Sequence, residues 1–147
     1  PLCVGEGMSV VCPDEGLSDG DMEIVKLIFE SSGKMCIMSE DYINKAIAVN
    51  GSGPAYVFMF IEAMADALVK NGVDRKNSYT LAAQTVLGSA KMVLETGLHP
   101  GILKDMVCSP AGTTIDAVVD LEKTGFRYAV MSAVQKCTDK SVEMSKK

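Results

Sequence analysis

The sequence is poor in several of the residues that would give it an easy chemistry. It has one histidine, His99, and five cysteines, Cys3, Cys12, Cys36, Cys108 and Cys137, with no C-x-x-C pair among them. No familiar zinc spacing joins His99 to these thiols, so no metal site is expected. An odd number of widely spaced cysteines also excludes a disulfide framework and suits a reducing compartment. Basic residues are fewer than acidic ones, 14 against 19, for a formal net charge of −5. Nucleic acid needs clustered Lys and Arg, and the only local basic excess is Lys146 and Lys147, so it is excluded as a partner. The longest uninterrupted apolar run, Ala55 to Ile61, falls far short of the roughly 20 residues a bilayer requires, so no membrane span is expected. Gly5-Glu6-Gly7 has no third glycine opening a helix, and no G-x-G-x-x-G follows a strand anywhere. The usual cradle for a dinucleotide pyrophosphate is therefore missing. The chain opens on Pro1 with no signal peptide and reads as a piece of something longer.

What is present is apolar material: 48% of residues are hydrophobic and only 22% charged. A chain of this length buries about two thirds of its unfolded surface, so a hydrophobic core is expected and disorder is not. Met8 to Cys12 is a short β-branched run ended by Pro13, Asp14 and Gly16, which predicts a buried strand and a turn. From Ser18 the period changes. Met22, Val25, Ile28 and Phe29 repeat at helical spacing, acidic residues fill the first turn, and Gly33 is expected to close the helix. Met35 to Met38 predicts a second strand. Two short strands do not make a free-standing parallel sheet, so residues 1–39 read as the end of a sheet whose other strands lie elsewhere.

No strand pattern follows Ser39, and a domain boundary is placed there, with residues 40–147 helical. A helix through Asp41, Ile43 and Ile47 is interrupted by Asn50-Gly51-Ser52-Gly53-Pro54, where a break and restart are expected. From Ala55 to Asn71 only Glu62, Asp66 and Lys70 are charged, and they share one thin stripe. The rest of this rod, about 25 Å long, must be covered, and a partner chain is inferred. A further helix near Asn77 to Thr96 carries Tyr79, Ala82, Ala83, Val86, Leu87, Ala90, Val93 and Leu94 on one amphipathic face. Gly97 stops it, His99 reads as a loop or capping residue, and a short helix runs from Ile102 to Val107. Met22, Met35, Met38, Met59, Met64, Met92 and Met131 are expected to fill the core.

The most informative stretch is Val107 to Gly125. A proline and a glycine precede Thr113 and Thr114, and Ile115, Val118, Val119 and Leu121 then mark a helix. Its first N–H groups lack intrahelical partners and, with the helix dipole, favour an anion. Ser109, Thr113 and Thr114 add hydroxyls able to donate or accept. Two readings stand side by side: a floor for a small carboxylate, or simple capping by Thr113 or Thr114.

Three blocks in register, GSGPAYVF at Gly51 to Phe58, LAAQTVLGSAKM at Leu81 to Met92 and HPGILKDMVCSPAGTTI at His99 to Ile115, resemble pyrroline-5-carboxylate reductase. The resemblance implies NAD(P)H-dependent reduction of 1-pyrroline-5-carboxylate to proline, the last step of proline biosynthesis. It implies a mainly α fold: a helical dimerisation and substrate domain of the 6-phosphogluconate-dehydrogenase C-terminal type, at 40–147, behind the remnant of a Rossmann domain at 1–39. It also implies a homodimer, within a ring of dimers in larger assemblies. The compartment implied is the cytoplasm, with the mitochondrion as the alternative. On this resemblance Glu40, Ser109, Gly112, Thr113 and Thr114 bind substrate, with Thr114 beside the ring nitrogen as the catalytic contact. Gly51 and Ser52 face the NADP or NAD, whose main site lies upstream. Glu40 reads equally as a helix N-terminal carboxylate. Three positions depart from the pattern. Ala111 stands where the family commonly has a second glycine, Asn50 where a serine is usual, and Met106 where some members have an asparagine. The rival reading is a non-catalytic helical dimerisation module, since the cofactor fingerprint is absent. A β-hydroxyacid dehydrogenase is a second rival, and its G-x-x-x-N-x-x-K pattern is not found.

Overall fold

The computed structural model describes residues 1–146. They divide into two compact units, one of residues 1–56 with 131–147, the other of residues 57–130. Both borders fall inside helices.

The first unit begins with a 3-10 turn, Leu2–Val4, followed by strand β1 (Gly7–Val11), helix α1 (Asp19–Glu30) and strand β2 (Gly33–Ile37). The strands pair in parallel, from Gly7 opposite Gly33 to Val11 opposite Ile37, and no third strand joins them among the described residues. Helix α1 starts where Ser18 accepts from the Asp21 N–H and the Asp21 carboxylate accepts from the Ser18 N–H, a reciprocal cap. Its end differs from expectation. The helix stops at Glu30, and Gly33 opens β2 with φ of +149°. A Cβ there would collide with the backbone of Gly7, so this glycine serves strand approach and not helix termination.

Helix α2 (Glu40–Asn50) follows, and the break expected at Gly51 and Ser52 is present before α3 (Gly53–Lys70) restarts with Pro54 in its first turn. In the first unit the Asn50 amide donates to Met8 O of β1 at 3.1 Å. Ser141 of α7 (Phe126–Ser145) donates to Asn44 of α2 at 2.9 Å.

The second unit holds the rest of α3, then α4 (Arg75–Thr96), α5 (Pro100–Val107), α6 (Thr113–Lys123) and the first turn of α7. Gly72, at φ of +91°, ends α3, with Gly72 N donating to Val69 O and Val73 N to Leu68 O, the paired bonds of a Schellman stop. Asp74 caps α4 by accepting from Asn77 N at 3.1 Å. His99 caps α5, its Nδ1 accepting from Gly101 N at 3.0 Å, which matches the capping role expected of it.

Burial departs most from expectation. Among the described residues, Ala48, Ala65 and Ala82 are the only buried hydrophobic ones, and Ser78 is the buried polar one. None of the seven methionines expected in the core is buried, and Met59 is 70% exposed. On α4, Tyr79, Leu87 and Leu94 face solvent although they lie on the amphipathic face. The accessible surface is 11,006 Å². Two separate compact units, each of half the mass, would expose only about 8,700 Å². The pattern of apolar residues is real, but what covers it lies outside this chain. Glu40–Lys70 is long and apolar enough to cross a membrane by length and composition alone, and the chain breaks within it between α2 and α3.

Candidate functional site

Between α5 and α6 the chain makes a tight turn over Ser109, Pro110, Ala111 and Gly112, closed by Gly112 N donating to Ser109 O at 3.1 Å. Pro110 suits the first inner position of such a turn. Ala111 follows in the left-handed region at φ of +55°, the only described residue besides glycines to do so. Gly112 then adopts an extended conformation as the N-cap of α6. A Cβ on Gly112 would strike Ser109 Oγ and press on Ser109 O, so the two residues approach closely only because position 112 is glycine.

The capping alternative for the threonines is overturned here. The N-cap is Gly112, which has no side chain, and no side-chain cap bond is made. Thr113 and Thr114 lie one and two positions inside the helix, with Thr113 exposed and Thr114 half-buried. Neither hydroxyl has a hydrogen-bond partner among the described residues, and the N–H groups of Thr113, Thr114 and Ile115 have no intrachain acceptor. Three donors and two hydroxyls therefore converge on one helix start. Positive dipole charge accumulates at the same place, so the arrangement suits a small carboxylate. Asp116 is the one acidic residue of the first turn.

The other predicted site residues belong to the first unit. Glu40 opens α2 next to Asp41, exposed and without an ion-pair partner among the described residues, and the N-cap Ser39 makes no side-chain cap bond. Gly51 ends α2, where a Cβ would meet the Ile47 side chain at 2.9 Å. Ser52 is half-buried, and its Oγ accepts from Cys137 Sγ at 3.2 Å. The hydroxyls of Ser52 first and Tyr56 second favour the thiolate form and so hold Cys137 below its ordinary range, against the opposing effect of burial. Cys137 raises Tyr56 correspondingly.

Sequence reasoning counted Cys137 only among the widely spaced cysteines and gave Tyr56 no role. The spacing of Ser52 and Tyr56, one helical turn apart, was a usable signal; the arrival of Cys137 from α7 was not. Asn50 was noted only as a departure, yet its Oδ1 is buried with no partner.

Residues 40–144 match the family described as pyrroline-5-carboxylate reductase dimerisation. The chain belongs to that family. Over 146 residues it is 54% identical to the pyrroline-5-carboxylate reductase of Escherichia coli, covering 99% of this chain and 54% of that protein. The pyrroline-5-carboxylate reductase of Methanosarcina acetivorans is 48% identical over 144 residues, covering 98% of this chain and 53% of its own length. The chain thus spans about half the length of the curated relatives it matches. Among solved structures, the Plasmodium falciparum pyrroline carboxylate reductase with NADP bound superposes with a TM-score of 0.90 at 40% identity, covering 98% of this chain and 58% of that one. A pyrroline-5-carboxylate reductase from Coxiella burnetii does so with a TM-score of 0.90 at 33% identity, covering 95% and 52%. The mainly helical architecture behind a short two-stranded parallel sheet is thus the fold of the C-terminal half of these reductases.

Proposed function

We propose that this chain is the C-terminal part of a pyrroline-5-carboxylate reductase, which reduces 1-pyrroline-5-carboxylate to L-proline. Residues 1–39 are then the end of a dinucleotide-binding domain, and 40–147 the dimerisation and substrate domain. The observation that carries this reading is the unsatisfied donor set at the start of α6 in a chain of this family. Ser109, Gly112, Thr113 and Thr114 hold the substrate carboxylate through main-chain N–H groups and hydroxyls. Thr114 lies against the ring nitrogen. Glu40, of the first unit, is proposed as a substrate contact whose carboxylate favours the protonated, iminium form, the better hydride acceptor. A threonine hydroxyl is a weak acid, so the proton reaches nitrogen from water that Thr114 orients.

NAD(P)H, when bound, supplies the hydride to the C=N carbon. The residues here fit only one end of that cofactor. No glycine-rich turn that could cradle a pyrophosphate follows a strand here, and in this reading that part of the cofactor site lies upstream. Gly51 and Ser52 offer an open turn and one hydroxyl to the other end. A homodimer is supported by the uncovered apolar surface, and a ring of dimers is the larger assembly proposed. The compartment proposed is the cytoplasm.

The test is Thr114→Ala in the full-length enzyme that carries this chain. The expected result is a fall in kcat/KM for the imine of about tenfold to a hundredfold, with cofactor affinity unchanged. Equal loss of both would count against the assignment. The second reading, a dimerisation module without activity, is favoured by the missing cradle alone. Activity that appears when a dinucleotide-binding domain is supplied decides against it.

A further inference from the structure

The two edges of β1 are filled differently. Gly7 N donates to Ser32 O at 2.9 Å and Val11 O accepts from Met38 N at 3.0 Å, so residues 7, 9 and 11 turn their main-chain groups toward β2. Successive residues of a strand alternate, and Met8 and Val10 therefore turn theirs the other way. On that outer edge only Met8 O has a partner among the described residues, the side-chain amide of Asn50, whose Nδ2 donates to it at 3.1 Å. The Met8 N–H and both main-chain groups of Val10 are left over.

Asn50 is the last residue of α2, immediately before the break at Gly51. Its side-chain amide carries the chemistry of a peptide unit, with N–H groups to give and a carbonyl oxygen to accept. One half of that capacity is used. The other half, Oδ1, is buried and accepts from nothing among the described residues. Turning the amide over would set its oxygen against Met8 O and lose the one bond it has, so the orientation is fixed by the strand. With Nδ2 on Met8 O, Oδ1 lies one amide width away, beside the same open edge. A buried carbonyl oxygen without a donor is costly, and native proteins supply one.

We infer that the Asn50 amide stands in for a peptide unit in the sheet: Nδ2 fills Met8 O, and Oδ1 receives a main-chain N–H from a strand, upstream of Pro1, that pairs with β1. This rests on the proposed reading of residues 1–39 as the end of a dinucleotide-binding domain, and it commits the open edge to that one occupant. Chain length supports it, since the matched relatives are about twice as long as this chain. So does the edge itself. A row of unpaired N–H and C=O groups is a template for another strand, and two short strands do not stand alone. The consequence is mechanical. The break between α2 and α3 is fastened to the sheet of the cofactor domain at the residue just before Gly51.

The experiment uses the full-length enzyme that carries this chain, free of cofactor and substrate, with amide hydrogen exchange resolved by residue in the wild type and in Asn50→Leu. Leucine keeps a similar volume but neither donates nor accepts. In the wild type the Val10 N–H should be protected. In Asn50→Leu, exchange should quicken about tenfold or more both in β1 and in one strand upstream of Pro1, while α4 stays within about twofold. Acceleration confined to β1 overturns the upstream donor and leaves the reading of residues 1–39 standing. A freely exchanging Val10 N–H in the wild type means that no strand pairs there, and both fall. Should Asn50→Leu not fold, a crystal structure of the wild-type full-length enzyme decides. A main-chain N from upstream of Pro1 is expected about 2.7–3.2 Å from Asn50 Oδ1, whereas a water molecule or a group of residues 1–147 in that place overturns the inference.

Discussion

Ser109 and Gly112 are in contact across the turn before α6, with Ser109 Oγ occupying the space where a Cβ on residue 112 would stand. The glycine is therefore a condition for the serine's position and not only a flexible joint. Gly112→Ala should displace the Ser109 hydroxyl, raise the KM for imine several-fold and destabilise the protein by about 1–3 kcal/mol. In a Ser109→Ala background the stability cost of Gly112→Ala should shrink by at least about 0.5 kcal/mol. Urea unfolding of the four proteins measures this, and strict additivity would mean the contact carries no energy.

Ala111 occupies a left-handed conformation, at φ of +55°, that costs an L-residue roughly 1–2 kcal/mol. Glycine removes this strain but adds about 0.4–1 kcal/mol of unfolded-state entropy. Ala111→Gly should therefore stabilise the protein by about 0.5–1 kcal/mol, read as a higher urea midpoint at constant slope. A lower midpoint would show that residue 111 leaves this region in solution.

Asp74 is held below its ordinary value of 3.8, chiefly by the Asn77 backbone N–H and then by the Asn77 side-chain amide. A carboxylate with a lowered folded pKa stabilises the fold above its unfolded pKa and loses that contribution as pH falls through the folded one. The melting temperature should thus drop as pH passes below 3.8, with Asp21, lowered by its bonds to Ser18, adding to the same slope. Asp74→Asn keeps a capping oxygen without a titrating charge, so its slope in that window should be shallower. An unchanged slope would remove Asp74 from the acid response.

Met59, 70% exposed, lies with Phe58 and Glu62 on α3 beside Tyr79 of α4, on a surface no residue of the second unit covers. In solution the protein should sediment as a dimer or larger. Met59→Glu puts a second carboxylate beside Glu62 and removes about 1.5–3 kcal/mol of burial, weakening association roughly tenfold to a hundredfold. A wild-type protein that sediments as a stable monomer at micromolar concentration would contradict the dimer.

Much of the local structure was legible in the residues. The short β-branched runs, the 3.6-residue period, the acidic first turn after Ser18, the break at Gly51 to Gly53, the stop at Gly97 and the capping role of His99 depend on neighbours a few positions apart. The apolar excess on α3 was legible too, and it pointed outside the chain before any coordinates did. The candidate loop was found by composition, but two threonines at a helix start read equally as caps, and only the backbone shows that Gly112 takes that place.

By itself, then, the sequence determined which segments become helix or strand, where most of them end, and that one face needs a partner. The tertiary structure alone decided that Gly33 joins strands rather than ending a helix, that the three buried apolar residues are alanines, and that Cys137 meets Ser52. The division has a physical cause. Dihedral preference and capping act over one turn of chain, whereas burial and hydrogen bonds between distant residues depend on how the backbone is routed through space.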